Sequence, residues 1–209
     1  MRRTTPRLAL AVLCACSLVR HVAFAQGADL ASRSKGRPDA PITIYEMSDF
    51  QCPYCRQFAL ETMPVLEREY LATGKVRLIY INLPLTSVHA HAFAAARVAL
   101  CAARQGAARF WALHDLLFQR QPQWSKQPDP SGYLLALAEY GGANRAALAV
   151  CVASKASEAA VQADVAAAAR AGAHSTPTFY IEGGLIEGAA PAAVFREVLD
   201  SIYRVRAAR

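Results

Sequence analysis

The stretch Ile42-Thr43-Ile44-Tyr45-Glu46-Met47-Ser48-Asp49-Phe50-Gln51-Cys52-Pro53-Tyr54-Cys55 decides the fold of this chain. Its first seven residues, rich in β-branched and aromatic side chains, read as a strand. The residues that follow, Arg56 to Ala72, read as an amphipathic helix carrying Phe58, Leu60, Met63, Leu66 and Tyr70, with Gly74 as its stop. Two thiols three positions apart can close into a small disulfide and reopen. At a strand-to-helix junction the first sulfur lies beside the unpaired amides of a helix N-terminus, and that partial positive charge favours thiolate over thiol. Cys52 is therefore the expected nucleophile and leaving group. Pro53 suits the first helical turn, where its missing N–H costs nothing.

A zinc site would need four ligands, usually a second Cys or His pair at close spacing. Cys101 and Cys151 stand alone, and no two histidines have finger spacing. The pattern favours redox chemistry, with no metal or soluble cofactor.

The chain has 209 residues, 54% of them hydrophobic, enough for one good core and an inserted subdomain. Residues 1–25 read as an export signal: Arg2, Arg3 and Arg7 precede the apolar run Leu8 to Val19, and Ala23-Phe24-Ala25 is a cleavage signal. Thr4-Thr5-Pro6 does not suit a twin-arginine signal. A lipid-anchored Cys16 is the alternative, with a short apolar run before it; cleavage after Ala25 is preferred. Cleavage removes Arg2, Arg3, Arg7 and Arg20 and no acids, so the net charge falls from +7 to +3. The basic balance is thus largely a signal effect and does not point to nucleic acid. Cleavage also discards Cys14 and Cys16 and leaves four cysteines in a compartment where disulfides persist.

Residues 26–40 read as a short disordered lead-in. Residues 41–86 read β–α–β, closing with the strand Val76 to Leu83. Residues 87–172 are alanine-rich and helical in pattern, with helices over about 90–104, 110–120, 133–140, 145–153 and 158–171, and a proline-rich loop over 119–132. Residues 173–209 give a hairpin, Thr178 to Ile181 and Leu185-Ile186, turning at Gly183-Gly184. A last helix follows Pro191, with Val194, Phe195, Val198, Leu199 and Ile202 on one face. Cys101 and Cys151 both fall in the helical insertion. Once Cys52 and Cys55 pair they have only each other, so a structural disulfide is expected, with free buried thiols as the alternative.

Split β–α–β and β–β–α halves with helices between them describe an α/β chain of thioredoxin-like fold with an inserted α-helical subdomain. Ser48 to Cys55, Gln105-Gly106 with Phe110-Trp111 and His114-Asp115, and Ser175-Thr176-Pro177-Thr178-Phe179 together resemble the DsbA family of exported thiol–disulfide oxidoreductases. The resemblance runs from about residue 40 to the end. It implies a disulfide donated from Cys52–Cys55 to reduced or unfolded exported proteins, reoxidation by a membrane quinone-coupled protein, and a periplasmic monomer. It implies a cis Thr176–Pro177 bond facing the dithiol. Chain physics allows that bond, because Pro177 opens a strand and cis bonds belong to proline. A cis bond would turn the Thr176 backbone toward an extended substrate.

Strand alternation puts Glu46 on the face of Ile42 and Ile44, so an acid points into the core; the alternative is an exposed edge position. Glu46 also resembles the family's buried acid, thought to move protons for the resolving Cys55. Pro53 and Tyr54 join the substrate-binding set, and Phe50, Tyr54 and Trp111 are expected to form an apolar surface around Cys52. Tyr54 is a departure, since the best-known DsbA has histidine there. Pro-Tyr also occurs in glutaredoxins, which are short and lack the helical insert. His174 reads as a surface residue, the alternative being a position near the dithiol where it would favour the thiolate, and His89, His91 and His114 read as helix-capping or core residues. A reductase or isomerase, or a binding or chaperone module without catalysis, are the competing functions.

Overall fold

The computed structural model describes residues 28–207; the stretch 1–25 read as an export signal, with Cys14 and Cys16, lies outside the described residues. A five-stranded sheet carries the site. Helix α1 (Ala28–Ser32) leads to β1 (Ser34–Lys35), then β2 (Ile42–Ser48), β3 (Val76–Asn82), β4 (Thr178–Ile181) and β5 (Gly184–Glu187), in the spatial order β1-β3-β2-β4-β5. β2 and β3 are parallel, with Ile44 opposite Leu78 and Glu46 opposite Tyr80; the other pairings are antiparallel.

Parallel neighbours need a crossover, and helix α2 supplies it over residues 53–71. It alternates α-helical turns, Pro53–Gln57 and Met63–Leu66, with π-type turns, Phe58–Thr62 and Glu67–Leu71. Pro64 sits inside this helix, where it has no N–H to give, and the widened turn just before it accommodates the ring.

Between β3 and β4 lie α3 (Ala92–Ala103), α4 (Ala107–Gln119), α5 (Gln121–Trp124), α6 (Ser131–Tyr140), α7 (Arg145–Ala153) and α8 (Lys155–Arg170); α9 (Ala192–Ala207) ends the chain. These match the helices and hairpin expected from the sequence to within a few residues. The short α5 falls inside the stretch read as loop, because Pro122 occupies its first turn, where proline is tolerated.

Alternation sorts the strands into two faces. Ile42, Ile44, Val76, Leu78, Tyr80, Phe179 and Ile181 join Phe58 and Leu66 of α2 and Phe195 and Leu199 of α9. The same cluster continues into Phe110, Leu113 and Leu117 of α4, so the insertion shares its core with the sheet. On the other face Met47, Ile79 and Ile81 pack on Ala167 and Ala168 of α8. The alanines of α3 are nearly all buried, which lets neighbouring helices approach closely. Cys101 and Cys151 are bonded, tying α3 to α7 across 50 positions.

The expectation of a disordered lead-in over 26–40 is corrected for its described part. β1 adds an antiparallel strand beside β3, with Ser34 opposite Ile79. Arg33 is buried and paired with Asp164 of α8, which also accepts from the backbone and side chain of Asn82. A small, polar segment has little to bury by itself; here a buried ion pair and a strand edge hold it.

Candidate active site

β2 ends at Ser48, and the chain turns through Asp49-Phe50-Gln51 into Cys52, whose extended backbone caps α2. Pro53 takes the first helical turn, as the sequence suggested. Cys52 and Cys55 are unlinked thiols; Cys52 is 4% exposed and Cys55 wholly buried. The Thr176–Pro177 bond is cis, and the Cys52 thiol donates to the Thr176 carbonyl at 3.4 Å. Tyr54 stands out in solvent, 62% exposed.

The two sulfurs are electrostatically unequal. The Cys52 thiol is drawn down to about 6, first by donation from the Cys55 thiol, then by the Thr176 side chain and the amides of Cys55 and Tyr54. The helix N-terminus credited from the sequence contributes, but the partner cysteine contributes more. Cys55 is pushed well above the ordinary thiol range by burial and by the neighbouring Cys52 sulfur. One sulfur is thus a thiolate near neutral pH and the other a thiol.

A frame of hydrogen bonds, largely invisible in the sequence, fixes the turn. Asp49 is buried; its Oδ1 accepts from the Gln51 amide at 2.7 Å and its Oδ2 from the Leu85 amide at 2.9 Å, with His89 Nδ1 at 2.8 Å. The Asp49 amide donates to Cys55 Sγ at 3.4 Å. Gln51 Oε1 accepts from the His91 amide, and Gln51 Nε2 donates to the Ser125 carbonyl. Gln121 of α5 donates to the carbonyls of Phe50 and Cys52 at 2.8 and 3.0 Å. Asp49 was legible within the motif, but its partners were not.

His89 therefore neither caps a helix nor sits in the core: its ring meets the buried Asp49 beside the dithiol. His91 stands at the N-cap of α3 without a side-chain capping bond. His114 is a core residue, ringed by Phe50, Tyr80, Phe110, Trp111 and Phe118. Its Nδ1 lies 2.8 Å from Asp115, and burial lowers its basicity. His174 is exposed, as expected. The proposed apolar surface shrinks to Tyr54. Phe50 is buried in a stack on Tyr80, and Trp111 is buried with its indole N–H on the Ser34 carbonyl and Lys35 over its ring. Both side chains are drawn into the core because it is continuous beneath the dithiol.

Glu46 points inward, as alternation required. It is completely buried, and burial pushes its carboxyl up to about 7, against smaller opposing effects of the Ser48 hydroxyl and Lys35.

A family profile described as thioredoxin matches residues 29–201. The chain is 34% identical over 149 residues to the Na(+)/H(+) antiporter NhaA 3 of Salinispora tropica, covering 71% of this chain and 21% of that protein. It is 37% identical over 89 residues to the probable disulfide bond formation protein D of Bacillus cereus, covering 43% of this chain and 40% of the relative. The chain thus aligns with less than half the length of either curated relative. Among solved structures, oxidised BdbD of Bacillus subtilis superposes with a TM-score of 0.75 at 22% identity, covering 82% of this chain and 92% of that one. DsbA of Chlamydia trachomatis superposes with a TM-score of 0.72 at 19% identity, covering 84% and 93%. Profile and superpositions agree on the fold, a sheet whose two halves are separated by a helical insertion, and the chain belongs to the thioredoxin family, with the DsbA-type fold.

Proposed function

We propose that this chain is an exported thiol–disulfide oxidoreductase that introduces disulfides into reduced proteins in the periplasm. The observation that carries the reading is the asymmetry of the dithiol: a low-pKa Cys52 beside the Thr176 carbonyl and a buried, high-pKa Cys55 behind it. A substrate thiolate attacks Cys52 Sγ in the oxidised enzyme. The Cys52–Cys55 bond breaks, and its electron pair leaves on Cys55. A second substrate thiolate then attacks the substrate sulfur of the mixed disulfide, and Cys52 departs as the more stable thiolate. The substrate has gained a disulfide and the enzyme holds two reduced cysteines.

In this reading Thr176 and Pro177 face the substrate chain, and Pro53 and Tyr54 form the rim it crosses. Glu46 serves as the buried acid that exchanges protons with Cys55. The chain acts as a monomer, needs no metal or soluble cofactor, and is reoxidised by a membrane quinone-coupled protein. A relative titled for disulfide bond formation supports the direction of this reading.

The test is oxidation of a reduced dithiol peptide, together with an equilibrium titration against glutathione. The expected potential is about −130 to −200 mV, because Tyr54 supplies no cationic donor to the thiolate. Peptide oxidation lost in Cys52→Ser and mixed disulfides trapped by Cys55→Ser complete the expectation. A potential near about −270 mV would favour a reductase, and no activity on any reduced peptide would favour a binding module.

A further inference from the structure

Under the dithiol lies a set of buried polar side chains of which the proposed exchange uses Glu46 alone. Glu46 lies opposite Tyr80 in the parallel register, and Ser48 follows Glu46 by two residues. All three side chains therefore share the sheet face that Cys55 packs against. Glu46 and Tyr80 are 0% exposed and Ser48 1%. Neither carboxyl oxygen of Glu46, nor Ser48 Oγ, nor Tyr80 Oη has a hydrogen-bond partner among the described residues. Buried polar atoms are normally satisfied, so a group of four in one place calls for a chemical reason.

Ser48 is the centre of the group. It shares their buried face, and its hydroxyl favours the ionised form of Glu46, of Cys55 and of Tyr80 alike while making no hydrogen bond to any of them in the resting protein. A hydroxyl has one proton to give and lone pairs to accept another. It can serve one of these groups as donor while taking a proton from a second. Burial keeps Tyr80 a neutral phenol, which leaves Cys55 and Glu46 as the two groups that can trade a proton.

We infer that Ser48 is the proton-transfer residue between Glu46 and Cys55. The inference rests on the exchange chemistry proposed above and deepens it. When substrate thiolate attacks Cys52, the S–S bond breaks and Cys55 receives the electron pair as a thiolate. Ser48 Oγ–H passes its proton to Cys55, and protonated Glu46 passes its own to Ser48. The step ends with a Cys55 thiol, a restored Ser48 hydroxyl and a Glu46 carboxylate. Ring closure runs the same transfers backwards: Cys55 gives its proton to Ser48, Ser48 gives one to the Glu46 carboxylate, and the Cys55 thiolate displaces the group on Cys52.

Other charged and titratable groups face this set. Lys35 of β1 acts on Glu46, Cys52 and the Asp49 amide act on Cys55, and the carboxylate of Asp49 acts on Tyr80. From α4 the His114 ring meets Tyr80 edge-on at 5.4 Å, with Asp115 behind it. A pH profile contains them all, so the test varies Ser48 alone.

The experiment follows closure of the Cys52–glutathione mixed disulfide by acid quench and mass spectrometry across pH, in wild type, Ser48→Ala and Ser48→Thr. Wild type should close with an inflection set by Glu46. Ser48→Ala should close about 100-fold more slowly near pH 7, the lower end of what a positioned proton donor contributes, and lose that inflection. Ser48→Thr, which keeps a hydroxyl, should recover most of the rate and the inflection. Equal profiles for wild type and Ser48→Ala would overturn the inference, as would a Ser48→Thr that folds but closes no faster than alanine. A second measurement needs no variant. Two protons in flight predict a curved dependence of the wild-type rate on the fraction of D2O, and a straight line would overturn the inference even where Ser48→Ala fails to fold. Because glutathione is the only partner, these outcomes stand apart from peptide oxidation. Loss of peptide oxidation in wild type sinks the proposed function, whereas a failed Ser48 test leaves that activity intact.

Discussion

Replacing Glu46 with glutamine should remove a pH-dependent instability from the folded protein. The carboxyl is completely buried and raised from an ordinary value near 4.5 to about 7. The unfolded chain releases this proton near pH 4.5, while the folded protein holds it to about pH 7. Between those values the folded state binds more protons than the unfolded state, so stability falls as pH rises. Each tenfold change in proton affinity is worth about 1.4 kcal/mol, so the full loss is roughly 3 kcal/mol, absent at pH 4 and complete by pH 8. The Cys52 thiolate works in the opposite sense. Its folded value near 6 lies below that of a free thiol, so its contribution grows as pH rises above 6. A Cys52→Ser background removes that effect from both proteins. Surface ion pairs such as Arg196–Glu69 lose their stabilisation on acidification in both alike. Urea unfolding at pH 4, 6, 7 and 8 then isolates Glu46. The parent should lose about 3 kcal/mol more than Glu46→Gln between pH 4 and pH 8. Parallel curves would mean that the acid is solvated or paired in the folded protein, and the argument for a buried proton store would fall.

Iodoacetamide should label Cys52 with a rate that is half-maximal near pH 6, with Cys55 unlabelled at neutral pH; faster modification of Cys55, read by peptide mapping, would reverse the assignment. Replacing both Cys101 and Cys151 with serine should cost about 4 kcal/mol in chemical denaturation, the chain-entropy value for a loop of this length. Arg33→Met should cost about 3–5 kcal/mol by stranding the buried Asp164 carboxylate, and adding Asp164→Leu should recover much of it; a cost below 1 kcal/mol in the single variant would place this pair in solvent. Tyr54→His should lower the Cys52 pKa and shift the glutathione equilibrium toward the reduced enzyme, and no change in either would move control of the thiolate to Thr176 and the helix amides.

The sequence alone determined the local elements and the placement of two cysteines at the head of α2. Its period-2 and helical patterns, with turns punctuated by Gly74, Gly183-Gly184 and Pro191, are local signals that tertiary contacts reinforced. The dithiol, the inward Glu46 and the Cys101–Cys151 pair were legible because spacing, alternation and elimination constrain them without knowledge of distant neighbours. Tertiary structure decided everything that depends on which far segment arrives. Gln121 holds the carbonyls of Phe50 and Cys52 from about 70 positions away, and no pattern in a proline-rich loop announces that role. His89 finds Asp49 across 40 positions, and Arg33 finds Asp164 across 131, which turned an unremarkable polar lead-in into a strand at the sheet edge. Ser48 reads as the end of a strand. It joins one buried polar group with Glu46, Tyr80 and Cys55 only because β3 brings Tyr80 opposite Glu46 and α2 lowers Cys55 onto the same face. Burial sets the protonation of these groups, and burial is a property of the assembled layers rather than of any segment.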